Sequence, residues 1–166
     1  MANNQILISK HSRIKTSGDL SKILARLRRK GRKIVFTNGC FDILHVGHVD
    51  YLSKAKALGD ILVIGLNSDS SVRKIKGRGR PVNNERDRAI VLSALCPVDY
   101  ISIFNEATPE RLIQELKPDV LAKGGDWKIK DIVGGQFVLA YGGKVKRIPF
   151  VKGYSTTAVI KKIERL

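Results

Sequence analysis

Two histidines three residues apart, His45 and His48, sit in the stretch TNGCFDILHVGH (37–48), directly after the apolar run KIVF. The same dozen residues hold Gly39, Cys40, Phe41 and Asp42. If the stretch enters a helix near Val46, the two imidazoles lie one turn apart and face the same ligand. The first amides of such a helix point their N–H groups at an anion, and Gly39 lets the backbone approach closely. Imidazoles combined with amide donors suit a polyphosphate whose negative charge grows during reaction. Two other readings use the same residues. Cys40, His45 and His48 could ligate zinc, but the fourth ligand is unnamed and His11 is the only other histidine. Alternatively, each histidine is a hydrogen-bonding residue at a helix terminus.

The elements that position this turn alternate strictly along the chain. LSKILARLRR places Leu20, Ile23, Leu24 and Leu27 on one helical face, with Asp19 as expected N-cap and Gly31 as the stop. KIVFTN (33–38) reads as a buried strand, VDYLSKAKALG as a helix ending at Gly59, and Ile61 to Leu66 as a second buried strand. Strand, helix, strand of this kind implies a right-handed parallel crossover. The segment 72–85, with Gly77, Gly79, Pro81 and two asparagines, reads as a charged loop. A helix over 86–95, a strand over 99–104 and a helix opened by Thr108 as N-cap and Pro109 follow. PDVLAKG then holds a short strand, DIVGGQFVLAYGG a helix, KVKRIPF a strand, and YSTTAVIKKIERL a last helix whose start is marked by Ser155, Thr156 and Thr157. The pattern predicts a Rossmann-like α/β fold, a doubly wound and mostly parallel sheet with helices on both faces. Residues 1–14 are expected to be disordered and 15–166 to form one domain.

Composition narrows the function classes. A chain of 166 residues with 43% hydrophobic content fills one core and is short for two. No apolar run reaches the roughly eighteen residues of a membrane span, and the N-terminus lacks the h-region of a signal peptide. Cys40 and Cys96 form no disulfide framework, which suits a reducing compartment, so a cytoplasmic protein is expected. There are 31 Lys and Arg against 15 Asp and Glu, a net charge of +16, and the pI is near 10.2. That field favours anionic partners in general. Aromatic residues are only 6% and lie mostly inside apolar runs, which argues against base stacking on RNA. The expected partners are therefore small molecules, with neither nucleic acid nor membrane. Neither a dinucleotide glycine fingerprint nor a P-loop occurs.

HVGH matches the HxGH signature of the nucleotidyltransferase superfamily, which includes cytidylyltransferases, pantetheine-phosphate adenylyltransferase and class I aminoacyl-tRNA synthetases. GYSTTAVI resembles its second signature, the ISSTxIR-like motif, with Tyr154 in place of the usual Ile and no Arg at the end. Within the superfamily, TNGCFDILHVGHVDYL, LNSDSSV, RPVN, LAKGGDW and STTAVIKKI resemble the D-glycero-β-D-manno-heptose 1-phosphate adenylyltransferases, over roughly residues 15–163. That family occurs free-standing or as the second domain of a bifunctional kinase. No sugar-kinase domain precedes the motifs, so the chain is expected to be the free-standing form or an excised domain.

The resemblance implies transfer of AMP from ATP to a sugar 1-phosphate, with Mg²⁺ accompanying ATP, no carboxylate cluster to hold a metal, and a homodimer or larger homo-oligomer. It implies that His45 and His48 contact the ATP phosphates and that His48 stabilises the pentacovalent transition state. Cys40 and Phe41 would lie against the nucleotide. Lys74 and Lys76 would clamp the α-phosphate and the sugar phosphate, Lys74 with a catalytic role; the alternative is ordinary surface charge. Arg88 aligns with an arginine linked to ligand or helix anchoring. Tyr154, Ser155, Thr156 and Thr157 would bind the nucleotide, the last three placing hydroxyls and helix amides on the β- and γ-phosphates; as simple caps they need no function. Asp42 would bind sugar hydroxyls or the base region. In KGGDW, Gly124 and Gly125 would admit adenine or sugar, and Asp126 and Trp127 would bond hydroxyls and pack on substrate, although Trp127 equally suits a core. The nearest rival is a glycerol-3-phosphate cytidylyltransferase, and the rival from another class is an inert basic module for nucleic acid or membrane.

Overall fold

The computed structural model describes residues 13–125, 128–151 and 153–166. Five strands, β1 (Ile34–Gly39), β2 (Ile61–Asn67), β3 (Tyr100–Phe104), β4 (Val120–Gly124) and β5 (Lys144–Ile148), form one sheet in the order β3-β2-β1-β4-β5. Every neighbouring pair is parallel. Val35 of β1 pairs with Leu62 on one side and Val120 on the other. The chain winds outward from β1 to β3, then returns to β4 on the other flank of β1. Strand order reverses there, and the loops beyond the two strand ends part to leave a crevice.

Strand alternation fills both faces. Val35, Leu62, Ile64 and Leu66 pack on one face with Tyr51, Leu52 and Ala55 of α2 (Val46–Lys56) and Ala89 and Leu92 of α4 (Glu85–Ser93). Ile34, Phe36 and Val63 pack on the other with Leu20 and Leu24 of α1 (Ser17–Arg29), Leu112, Ile113 and Leu116 of α5 (Glu110–Leu116), and Val138 of α6 (Gly135–Ala140). The central strands β1 and β2 read as continuous apolar runs because both their faces are covered, whereas the edge strand β5 buries only Val145 and Ile148.

Several boundaries differ from the sequence reading. The N-cap of α1 is Thr16, whose Oγ1 accepts from the Asp19 amide and donates to the Asp19 carboxylate. Asp19 thus occupies the third helical position, bonded through both its amide and its carboxylate to the cap hydroxyl, rather than the cap itself. Residues 72–76, expected in a loop, belong to α3 (Asp69–Lys76), capped by Ser68 and ended by Gly77 at φ +85°. Val72 and Ile75 give α3 an apolar side, and the glycines interrupt the chain only afterwards. Pro109, not Thr108, is the N-cap of α5. The helix expected over DIVGGQFVLAYGG divides into a 3₁₀ turn at Ile129–Asp131 and α6, because Gly134 takes a left-handed φ of +78°. Helix α7 (Thr156–Ile163) starts as expected, with Ser155 Oγ accepting from the Ala158 amide at 3.0 Å.

The disorder expected for 1–14 concerns, at 1–12, residues outside those described. Arg13 and Ile14 are bound to the body: Arg13 donates to the Ser93 and Val98 carbonyls, and Ile14 bridges Ile101.

Candidate active site

A cleft of about 700 Å³ lies along the C-terminal edge of the sheet. The ends of β1 and β4 form its floor; the turn 40–48, α3, the start of α5 and the start of α7 form its walls. Its existence follows from the crossovers, which bring helix N-termini to the strand ends where the order reverses.

The turn after β1 is shaped by close packing. Phe41 adopts a left-handed φ of +44° and is buried, and its ring leaves no room for a side chain at Gly39. A non-glycine residue in that conformation costs of order 1–3 kcal/mol and persists only where its surroundings fix it. His45 is the N-cap residue of α2 and His48 lies in its first turn. Their rings stack with centroids 3.8 Å apart and planes 21° from parallel, and Phe41 tilts against His48 at 5.3 Å. Burial pushes the His48 imidazole down to about 4, and neighbouring His45 adds to the shift; burial lowers His45 as well. Both are therefore neutral at pH 7. Each Nδ1 is buried without a hydrogen-bond partner among the described residues. Gly47 fits tightly between them: a Cβ there would sit 3.1 Å from His45 Nδ1 and 3.1 Å from Tyr154 Cβ, so a side chain would have to push those neighbours aside by a few tenths of an ångström.

Tyr154, Ser155, Thr156 and Thr157 bring the N-terminus of α7 to the same cleft, and Thr156 Oγ1 lies 3.4 Å from the Ile43 carbonyl oxygen, to which it donates. Two helix N-termini, those of α2 and α7, thus meet across one cavity, an arrangement suited to an extended anion. Cys40 and Phe41 also line it; burial pushes the Cys40 thiol up, keeping it uncharged.

The charged candidates separate. Asp42 is 5% exposed and its carboxylate is taken up by protein groups: it accepts from the Val82 amide at 2.8 Å and the Asn83 amide at 2.9 Å, and pairs with Arg80 Nε at 3.2 Å. It fastens the loop after α3 to the histidine turn, although it borders the cavity. Arg88, 2% exposed, donates to the carbonyls of Asn83, Cys40 and Asn67 and pairs with Asp69 at 2.7 Å. It anchors helix and turn and is not among the residues lining the cleft. Val72, Ile75 and Lys76 share the side of α3 that faces the cavity, whereas Lys74, two residues after Val72, is rotated away and does not line it. Gly124 lines the cleft; Gly125, at φ +97°, lies behind the Phe150 ring, which covers both glycines closely. Asp126 and Trp127 lie outside the described residues.

Sequence reasoning passed over Asn38, Lys123, Arg80 and Phe150, all of which line the cleft. A lysine inside the buried-type run VLAKGG was the available signal for Lys123, and Asn38 and Arg80 fall within the stretches TNGCFDILHVGHVDYL and RPVN that carry the resemblance, whereas Phe150 carried none beyond its place after a strand. Among the described residues no group of three or more His, Cys, Asp or Glu is arranged to hold a metal ion, and no helix is long and apolar enough to cross a membrane.

Comparison with known proteins agrees with this architecture. Residues 36–162 match the cytidylyltransferase-like family model. The chain is 56% identical over 152 residues to the bifunctional protein HldE of Wolinella succinogenes, covering 92% of this chain and 31% of that protein. It is 54% identical over 146 residues to the HldE of Helicobacter pylori, covering 88% of this chain and 31% of the relative. The chain thus spans under a third of the length of these curated relatives. The crystal structure of a lipopolysaccharide core biosynthesis protein from Thermoplasma volcanium superposes with a TM-score of 0.61 at 33% identity, over 75% of this chain and all of the other. Sheet order, paired helix N-termini and sequence matches agree: the chain belongs to the cytidylyltransferase-like family.

Proposed function

We propose that the chain transfers AMP from ATP to D-glycero-β-D-manno-heptose 1-phosphate, giving ADP-heptose and pyrophosphate. The observation that carries this reading is the pair of stacked, neutral imidazoles at the N-terminus of α2, facing the N-terminus of α7 across one cleft. The substrate choice is supported by the resemblance of CFDILHVGH, LAKGGDW and STTAVIKKI to the heptose 1-phosphate adenylyltransferases and by identities of 51–56% to HldE proteins.

In the proposed reaction a phosphate oxygen of the sugar attacks the α-phosphorus in line. The new O–P bond forms as the bond from the α-phosphorus to the bridging oxygen of the β-phosphate breaks, and pyrophosphate leaves with that electron pair. No covalent enzyme intermediate is needed, so the protein positions the reactants and stabilises charge. Neutral imidazoles donate N–H to the phosphoryl oxygens, His48 to the pentacovalent centre, and the amides and hydroxyls of Ser155, Thr156 and Thr157 take the β- and γ-phosphates. Lys76 closes on the phosphates from α3, and Asp42 acts by holding the loop beside it. The Mg²⁺ that accompanies ATP would be carried mainly by the phosphates. We place the enzyme in the cytoplasm, in keeping with its free cysteines, and as a homodimer or larger homo-oligomer on the resemblance alone.

Thermal unfolding with each nucleotide tests the base assignment. A ligand at a hundred times its Kd stabilises the fold by about 2.7 kcal/mol, so saturating MgATP is expected to raise Tm by several degrees and MgCTP to leave it unchanged. A shift with CTP alone would contradict adenylyl transfer.

A further inference from the structure

The neutral histidines leave a charge problem, because a polyphosphate entering the cleft needs cations that the histidine turn does not supply. Among the described residues three lysine or arginine side chains line the cavity: Lys76, Arg80 and Lys123. Arg80 is already paired with Asp42, and Lys76 projects from the exposed end of α3. Lys123 differs from both. It belongs to β4, on the cleft floor, is half-buried, and its Nζ donates to Asn38 Oδ1 of β1 at 3.1 Å.

Among the described residues no carboxylate lies within ion-pair distance of Lys123, Asp131, which also lines the cleft, included. Burial accordingly lowers its ammonium below the usual lysine range, opposed in part by Cys40. A half-buried ammonium held by one amide oxygen is an expensive arrangement in a fold that has no structural use for the charge. It becomes favourable once an anion enters, since a charge-assisted hydrogen bond in a partly desolvated site is stronger than one in water. Asn38 fixes the direction: β1 and β4 are neighbours, and the amide keeps the long side chain from spreading over many rotamers.

We propose that Lys123 contacts substrate, its ammonium receiving a phosphoryl oxyanion at the floor of the cleft while Asn38 holds it in position. The assignment rests on the nucleotidyl-transfer reading and adds to it a residue on β4, where neither histidine nor α3 reaches. The oxyanion comes either from the nucleotide or from the sugar phosphate, and binding measurements separate the two.

Titration calorimetry on wild type, Lys123→Met and Lys123→Arg would use MgATP, adenosine and heptose 1-phosphate as separate ligands. Lys123→Met is expected to weaken one phosphate compound about tenfold or more, to leave adenosine within twofold, and to keep Tm near the wild-type value, with Lys123→Arg intermediate. A loss confined to MgATP assigns the contact to the nucleotide, and a loss confined to heptose 1-phosphate assigns it to the acceptor. Should Lys123→Met fold poorly, Lys123→Gln serves in the same arms. Unchanged binding of both phosphate compounds would overturn the inference alone. A wild type that binds MgATP but not heptose 1-phosphate contradicts the proposed acceptor while the ATP arm still decides Lys123; a wild type that binds neither removes both.

Discussion

The rings of His45 and His48 stack at 3.8 Å with planes 21° apart, so that the two imidazoles act as one layered wall of the cleft rather than as two independent bases. Protonating either would set positive charge against its neighbour inside a partly buried stack. The pair is therefore suited to donating hydrogen bonds in the neutral state, and removing His48 takes away a donor while leaving the packing of α2 on the sheet untouched. His48→Ala is expected to lower kcat by about 10²–10³-fold or more with circular dichroism and Tm close to wild type. Near-normal turnover would remove His48 from its assigned role.

The same burial makes stability depend on pH. The folded His48 titrates at about 4, below the ordinary histidine value of 6.5. Between these values the unfolded chain binds the extra proton, so the contribution of neutral His48 is complete above about 6.5 and is lost as pH falls toward 4. Wild type is expected to lose more Tm between pH 7 and pH 4.5 than His48→Gln does, by about a few degrees. Parallel curves for the two proteins would contradict the buried neutral imidazole.

Asp42 is a positioning residue. Its carboxylate receives two backbone amides and Arg80, which ties the loop bearing Arg80 to the histidine turn. Asp42→Ala leaves those donors without their acceptor and is expected to destabilise the fold by about 2–4 kcal/mol. Denaturant titration checks the value, and a midpoint within error of wild type would show the clamp to be dispensable.

Helix geometry separates the two lysines of α3. Lys76 shares the cleft-facing side with Val72 and Ile75, and Lys74 does not. Lys76→Ala is expected to weaken substrate use by about tenfold in kcat/KM, and Lys74→Ala to stay within about threefold. The reverse order would show that α3 turns on substrate binding and would restore Lys74 to the catalytic place that the sequence resemblance implied.

Much of this arrangement was legible in the sequence, for identifiable reasons. The β1 strand, the histidine turn and the Ser155 cap are local: apolar runs, a signature with fixed spacing and a capping hydroxyl all declare themselves within a dozen residues. Helix α3 was masked because the glycines of 77 and 79 dominate its neighbourhood, while its own cap and apolar side span only Ser68 to Ile75. The resemblance implies a substrate-binding place for Asp42 and ligand or helix anchoring for Arg88; Asp42 instead holds two backbone amides and Arg80, and Arg88 anchors through three carbonyls and Asp69, partners that loops and strand ends distant in sequence contribute. The bond between Lys123 and Asn38 joins residues 85 apart in the chain, and only the reversal of strand order between β1 and β4 makes them neighbours.

Adenylyl transfer to a heptose 1-phosphate is tested by pyrophosphate release with Mg²⁺ and either ATP or CTP, each offered heptose 1-phosphate or glycerol 3-phosphate. Release is expected with ATP and heptose 1-phosphate alone, slowed by about a hundredfold or more in His48→Ala. Release with CTP and glycerol 3-phosphate, or none in any combination, would contradict adenylyl transfer to this acceptor.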